Sequence, residues 1–214
     1  MPLFSIVSLF KEENPMYNRE NTLSPHAREE IMEQKLLRLV PADVDLAQPV
    51  TDFYRRNREF LQSFEPPREN DFFTVSHQQN LLQQEMEARK AKTGYRFYLQ
   101  DPRYPQMILG TIGLNQVIWG GFRSAFLGYK MDRQFLNQGY MTTAVGMLVD
   151  FAFQELALHR IEANVMPRNK ASLRVLEKNE FVMEGISPYY LNINGVWEDH
   201  VHMVKLNFAL HSNS

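Results

Sequence analysis

The sequence predicts one α/β domain in which a mixed sheet carries helices on both faces. Three observations point there. Apolar residues alternate in short runs and elsewhere recur at helical spacing, in the order β-α-α-β-β-β-α-β-α-β-β. A strand-like run, Leu127-Gly128-Tyr129-Lys130-Met131, is followed by Gln138-Gly139-Tyr140-Met141-Thr142 at the head of a long amphipathic stretch. The chain ends on two strand-like runs around Asn194-Gly195, the dipeptide of a tight hairpin.

Taken in order, residues 1–30 are expected to be an extension and residues 31–210 the folded domain. Prolines at 15 and 25 interrupt any long element in the extension. Leu36–Val40 is a predicted strand, stopped by Pro41. Val44, Ala47, Val50 and Tyr54 share a face, which predicts a helix over about 43–60. Glu65-Pro66-Pro67 enforces an extended turn, and Val75–Ala91, rich in Gln and Glu, is a half-solvated helix. Tyr95–Leu99, Met107–Ile118 and Ser124–Met131 are predicted strands, separated by turns rich in Gly, Pro and Asp. Val145, Leu148, Val149, Ala152 and Leu156 give the helix after Gly139 one buried face. A strand over Arg160–Met166, a short helix over Asn169–Asn179 and the strands Tyr189–Ile193 and Glu198–Leu206 complete the domain.

Composition excludes several function classes. The 214 residues contain no cysteine, so disulfides, thiolate zinc clusters and a cysteine nucleophile are ruled out. A reducing cytoplasm suits such a chain. A net charge of −2 lacks the dense cationic surface that broad nucleic-acid binding requires. No apolar run approaches the roughly 20 residues of a membrane span, and Met1–Phe10 has neither a basic leader nor a small-residue cleavage site.

Chemistry concentrates after residue 127. A helix start presents backbone N–H groups without helical partners and the positive end of the peptide dipoles. The turn from Asn137 through Gln138, Gly139, Tyr140 and Met141 to Thr142 is therefore a seat for a phosphate or pyrophosphate, and Gly139, without a Cβ, permits close approach. A plain strand-to-helix turn has the same outline. Three segments further along the chain make the pattern specific: Leu158-His159-Arg160-Ile161-Glu162-Ala163-Asn164, then Arg168-Asn169-Lys170-Ala171-Ser172, then Glu177-Lys178-Asn179-Glu180-Phe181.

That ordered set resembles the GNAT family of acetyl-CoA-dependent N-acetyltransferases. Within it the resemblance is to the RimJ/RimL-type ribosomal-protein-alanine N-acetyltransferases, the RimJ type above all. Asn57-Arg58-Glu59-Phe60-Leu61 with Phe64-Glu65-Pro66 is similar to that group's first-helix region, and Tyr190–Val201 to its last hairpin. The similarity runs from about Gln34 to about Leu206. It implies a mixed, mostly antiparallel sheet whose central strands splay, and acetyl-CoA as cosubstrate without a metal. The acceptor it implies is an α-amine, by resemblance the N-terminal residue of a ribosomal protein. A small amine such as a polyamine, an amino-acid analogue or an antibiotic is the alternative within the enzyme class; an acyl-CoA sensor or ribosome-associated factor is the alternative outside it. Monomer and homodimer both remain open.

By the same resemblance, Tyr129, Lys130 and Met131 pair with pantetheine through their backbones, and residues 137–142 hold the pyrophosphate. Asn164, Asn169, Lys170 and Ser172 belong to the same set. Ser172 is also the candidate proton donor to the leaving thiolate, three residues after Asn169 and on the same helix face. Asn169 is equally a natural N-cap. Glu65, Tyr190 and Glu198 are candidates for taking the amine proton, Glu65 first. Four positions depart from the family pattern: Leu136 replaces a polar residue, Asn137 an extra glycine, Leu176 a tyrosine and Leu191 a glutamate. His159, His200 and His202 lack the spacing of a compact metal site and an obvious acidic partner. The methionines at 141, 147, 166 and 183 read as core filler. Trp119 and Phe122 either line the acceptor side or cap the sheet.

Overall fold

The structure, a computed structural model, describes residues 32–34 and 37–211; the expected extension over 1–30 lies outside them. Among the described residues eight strands form one sheet: β1 (Met32–Gln34), β2 (Leu37–Pro41), β3 (Tyr95–Gln100), β4 (Gly110–Ile118), β5 (Ser124–Met131), β6 (Arg160–Val165), β7 (Val182–Ile193) and β8 (Val196–Leu206). Their spatial order is β1-β2-β3-β4-β5-β6-β8-β7. Every neighbouring pair is antiparallel except β5 and β6. That pair is joined by a helical crossover, as a parallel connection requires.

Helices cover both faces. On one lie α1 (Ala47–Arg56), α2 (Arg58–Gln62) and α3 (Val75–Lys90); on the other lie α4 (Tyr140–Gln154) and α5 (Lys170–Lys178). Alternation along the strands splits the core accordingly. Leu39, Phe97, Leu99, Ile161 and Ala163 pack with Ala144, Val145 and Leu148 of α4. Val40, Tyr98 and Ile108 pack with Val50 and Phe53 of α1 and Leu82 of α3.

The helix expected over 43–60 is broken. Asp43 accepts from the Asp45 N–H at 3.0 Å and caps a 3₁₀ turn, Val44–Leu46, before α1. Asn57 then separates α1 from α2. Its Nδ2 donates to the Phe53 carbonyl at 2.9 Å and to Asp132 Oδ2 at 3.0 Å, while its Oδ1 accepts from the Arg133 N–H at 2.9 Å. A buried amide with partners on two segments is worth more here than helical continuity. Arg56 joins the same buried carboxylate, Nε to Asp132 Oδ2 at 2.5 Å. The α1–α2 elbow is thereby tied to the end of β5.

The last hairpin is also longer than expected. β7 begins at Val182 rather than Tyr189, and its pairing with β8 shifts register twice. Tyr189 sits at φ 52°, and its N–H donates to Asp199 Oδ1 at 2.9 Å. An edge strand exposed along most of its length has no apolar alternation to reveal it. β4 begins at Gly110 instead of Met107; a Cβ at Gly110 would lie 2.5 Å from the Lys130 carbonyl, so only glycine lets β5 close in at that end.

Candidate active site

β5 and β6 pair over only three residues, Ser124–Phe126 against Arg160–Glu162. Beyond that they part. Leu127–Met131 still pairs outward with β4, and Ala163–Val165 still pairs outward with β8. Their facing backbone edges are left open along a cleft of about 550 Å³. Open strand edges supply N–H and C=O groups to any extended chain that lies between them. Asn164 stands on this wall, and its Oδ1 is buried without a hydrogen-bond partner. Such an atom is costly unless a ligand N–H reaches it.

The start of α4 closes one end. Asn137 and Gly139 both adopt left-handed backbone, φ 59° and 85°. Asparagine and glycine are the residues that do so at least cost, which is how the turn keeps its shape with Asn137 in it. The first helical bond runs from the Thr143 N–H to the Gly139 carbonyl at 3.0 Å. The N–H groups of Tyr140, Met141 and Thr142 therefore have no helical partner, and all three residues line the cleft with Asn137 and Gly139. The Tyr140 hydroxyl donates to Asp101 Oδ2 at 2.6 Å and accepts from Arg103 Nη2 at 2.6 Å, which fixes this end against the turn after β3. Gln138 turns away and donates to the Gln134 carbonyl at 3.1 Å.

On the α5 side, Ser172 Oγ and the Tyr129 hydroxyl lie 2.8 Å apart, and the tyrosine also donates to the Ser172 carbonyl at 3.1 Å. Burial pushes the Tyr129 phenol up to about 12, with the Ser172 hydrogen bond only partly opposing it, so it stays protonated at neutral pH. Asn169 is the N-cap of α5: its Oδ1 accepts from the Ser172 N–H at 3.1 Å. Both Asn169 and Ser172 line the cleft, and Lys170 is not among the lining residues. Arg174 and Lys178 are, a pair of cations missing from the sequence-based candidates. Their spacing of four from residue 170 onward is the signal that marks them. Leu176 is fully buried, so this chain has no side chain in the cleft at that position.

The opposite face carries the proton-acceptor candidates. Glu65 lines the cleft, but its Oε2 already accepts from Lys130 Nζ at 2.6 Å and Arg68 Nη2 at 3.1 Å. Tyr190 accepts from Asn164 Nδ2 at 2.9 Å and packs its ring on His200 and His202, with centroids 5.2 and 5.1 Å away. Glu198 is held by Arg168 at 2.9 Å. His202 does have an acidic partner, contrary to expectation: Glu162 Oε1 lies 2.8 Å from its Nδ1, with Ser187 Oγ 2.8 Å from its Nε2. Among the described residues no cluster of His, Asp and Glu has the makings of a metal site. His200 has a place in the cleft that its sequence position does not betray. It is buried, it lines the cleft, and its Nδ1 lies 3.1 Å from the Glu198 carbonyl. A carbonyl only accepts, so Nδ1 carries a proton, and in the neutral ring the lone pair lies on Nε2. Trp119 donates to the Lys92 carbonyl at 2.8 Å, and neither it nor Phe122 lines the cleft.

Known proteins share this fold and much of this sequence. The family model described as an acetyltransferase (GNAT) domain matches residues 36–182. The "Probable N-acetyltransferase YjcK" of Bacillus subtilis (strain 168) is 40% identical, across 83% of this chain and 97% of that one. The [ribosomal protein uS5]-alanine N-acetyltransferase of Escherichia coli (strain K12) is 34% identical, across 71% of this chain and 78% of its own. Among solved structures, the ribosomal-protein-S5-alanine acetyltransferase of Vibrio fischeri superposes with a TM-score of 0.80 at 32% identity, covering 83% of this chain and 96% of that one. Mycobacterium smegmatis RimJ, in complex with CoA-disulfide, has the same fold, with a TM-score of 0.75 at 24% identity over 83% of this chain and 84% of its own. The chain belongs to the GNAT family, among relatives of the RimJ/RimL type.

Proposed function

We propose that this chain moves acetyl from acetyl-CoA to the α-amine of a protein N-terminus, in the first place that of a ribosomal protein, in the cytoplasm. The observation that carries this is the fork between β5 and β6. Its residues fit the cosubstrate. Backbone groups of Tyr129, Lys130 and Met131 meet the pantetheine amides, and Asn164 Oδ1, otherwise orphaned, accepts an amide N–H. Amides of Tyr140, Met141 and Thr142 hold the pyrophosphate, with Asn137, Gln138 and Gly139 shaping the turn. Arg174 and Lys178 add positive charge along the same wall. Asn169 orders the start of α5 so that Ser172 stands at the cleft.

Acetyl-CoA supplies an activated acyl group on sulfur; the chain supplies proton traffic and placement. Among the groups facing the acceptor side, His200 has a free lone pair and takes the amine proton, directly or through one water. Glu65, whose Oε2 is taken by Lys130 and Arg68, and Tyr190, whose hydroxyl accepts from Asn164, orient the acceptor. The Met131 N–H stabilises the carbonyl oxygen as charge grows on it. As the C–N bond forms and the C–S bond breaks, Ser172 Oγ gives a proton to sulfur and recovers one from solvent, while the Tyr129 hydroxyl, bonded to the Ser172 carbonyl, holds the serine in place. Solvent then resets both sides.

The related enzymes named for a ribosomal-protein alanine support a peptide end as acceptor. So does the charge at the mouth. A small polyamine asks for free carboxylates, whereas Glu65 and Glu198 are each tied to arginine. The test is intact-mass analysis of purified ribosomal proteins after incubation with the enzyme and acetyl-CoA. One acetyl group on a single N-terminus is expected. Unchanged masses for every ribosomal protein, from a preparation that binds CoA, would refute it.

A further inference from the structure

A second, smaller hollow of about 40 Å³ adjoins the cleft and shares Leu61 and Glu65 with it. Arg58 and Arg68 stand on its wall with Phe73 behind. Both guanidinium groups lie over aromatic rings and are tied by a hydrogen bond. Arg58 lies 4.4 Å from the Phe73 ring centre and donates to Asn70 Oδ1 at 2.9 Å. Arg68 lies 4.4 Å from the Phe72 ring centre and donates to Glu65 Oε2 at 3.1 Å. Lys130 takes the same Glu65 oxygen at 2.6 Å. Two cations thus share one carboxylate, and Arg58 stands on the same wall with no carboxylate partner among the described residues. A guanidinium stacked on an aromatic ring is preorganised, so little freedom is lost when it binds an anion. Its forked donors match a carboxylate.

We infer that this hollow receives a side-chain carboxylate of the acceptor, so the preferred substrate is a peptidyl amine with Asp or Glu within the few residues behind it. The inference rests on the proposed N-terminal acetylation and narrows it. The shared wall at Leu61 and Glu65 sets the reach: a residue or two of extended chain, at about 3.3–3.6 Å each, spans from the cleft to its neighbour.

The test compares peptides identical except for Glu or Gln at the second, third or fourth position, with the full chain and at low salt. At one of those positions the Glu peptide should have a kcat/KM about tenfold higher or more, through KM, as a charge-assisted hydrogen bond to a fixed guanidinium implies. That ratio should shrink with added salt and fall towards one in Arg58→Gln. Equal kcat/KM for every Glu and Gln pair would overturn the carboxylate subsite and leave N-terminal acetylation standing. So would a preference that survives intact in Arg58→Gln. Failure to acetylate any peptide, with CoA binding intact, would overturn both.

Discussion

Replacing Gly139 by alanine separates the strain of the turn from its use. Residue 139 sits at φ 85° and ψ −8°, where a Cβ costs about 1–2 kcal/mol. Alanine recovers about 0.4–1 kcal/mol by restricting the unfolded chain. The net destabilisation is then on the order of 1 kcal/mol, or roughly 2–4 °C in Tm for a chain of this size. No atom lies within 4 Å of the new Cβ, so packing adds nothing. The residue lines the cleft, and that open space is the one assigned to the pyrophosphate. Losing one charge-assisted N–H contact there costs about 1.5–3 kcal/mol, roughly 10- to 100-fold in affinity. Calorimetry with CoA, beside a thermal melt, reads both effects. Gly139→Asn tolerates the backbone angle yet fills the same space, so it should bind CoA poorly while melting closer to the parent. CoA affinity within twofold of the parent in both variants would refute the phosphate seat.

Other substitutions probe the remaining parts. Ser172→Ala should cut kcat by about 10- to 100-fold with CoA affinity nearly unchanged, because Tyr129 keeps its bond to the residue 172 carbonyl; equal losses in both would make Ser172 a positioning residue. His200→Gln retains a side chain able to donate to the Glu198 carbonyl but removes the basic lone pair, so kcat should fall about 100-fold without a matching change in acceptor KM; an unchanged kcat would exclude His200 from proton transfer. Asp132→Ala strips Arg56, Asn57 and the Gln134 N–H of their common acceptor, and about 3 kcal/mol should disappear in urea titration; a loss below about 1 kcal/mol would show the elbow to be held by packing instead. Burial opposes ionisation of Glu162, but hydrogen bonds from Arg160 and His202 outweigh it and hold the carboxyl below its ordinary 4.5. Its contribution is therefore full above that value and is lost as pH falls through the lower folded one. In Glu162→Gln the stability curve should flatten on this acid limb, and an unchanged acid limb would contradict the assignment.

Most of the architecture was legible because burial in this chain follows period. Ser124–Met131 and the head of α4 at Tyr140 are marked by alternation and by one glycine, and the structure keeps both. Two features stayed hidden for physical reasons. The break at Asn57 depends on Asp132, which is 75 residues away in sequence, and no local window contains that partner. β7 is an edge strand with little to bury, so its first half left no pattern. In the candidate site, backbone donors were readable from the turn residues, and Ser172 from its helix face. The place of His200 was not, since its burial in the cleft and its contact with the Glu198 carbonyl arise only in the folded hairpin. Glu65 reads as a free base in the sequence, but Lys130 and Arg68 share one of its oxygens in the fold.

The fork also gives the two proton transfers proposed above separate places in one cleft. Along β5, Tyr129 packs towards the α4 and α5 side, and the next residue, Lys130, reaches Glu65 on the other. Along β6, Ala163 belongs to the α4 core, while Asn164 meets Tyr190 on the opposite face. Strand alternation therefore puts the Tyr129–Ser172 hydroxyls on one side of the sheet and His200, Tyr190 and Glu65 on the other. A proton leaving the amine and a proton arriving at sulfur never need a common carrier. Only a gap lets a ligand lie between those two faces. Were β5 and β6 paired to their ends, their N–H groups would be spent on each other and the sheet would be a wall. The separation after Phe126 makes that wall a passage, and the short parallel pairing from Ser124 to Phe126 is what anchors its closed end.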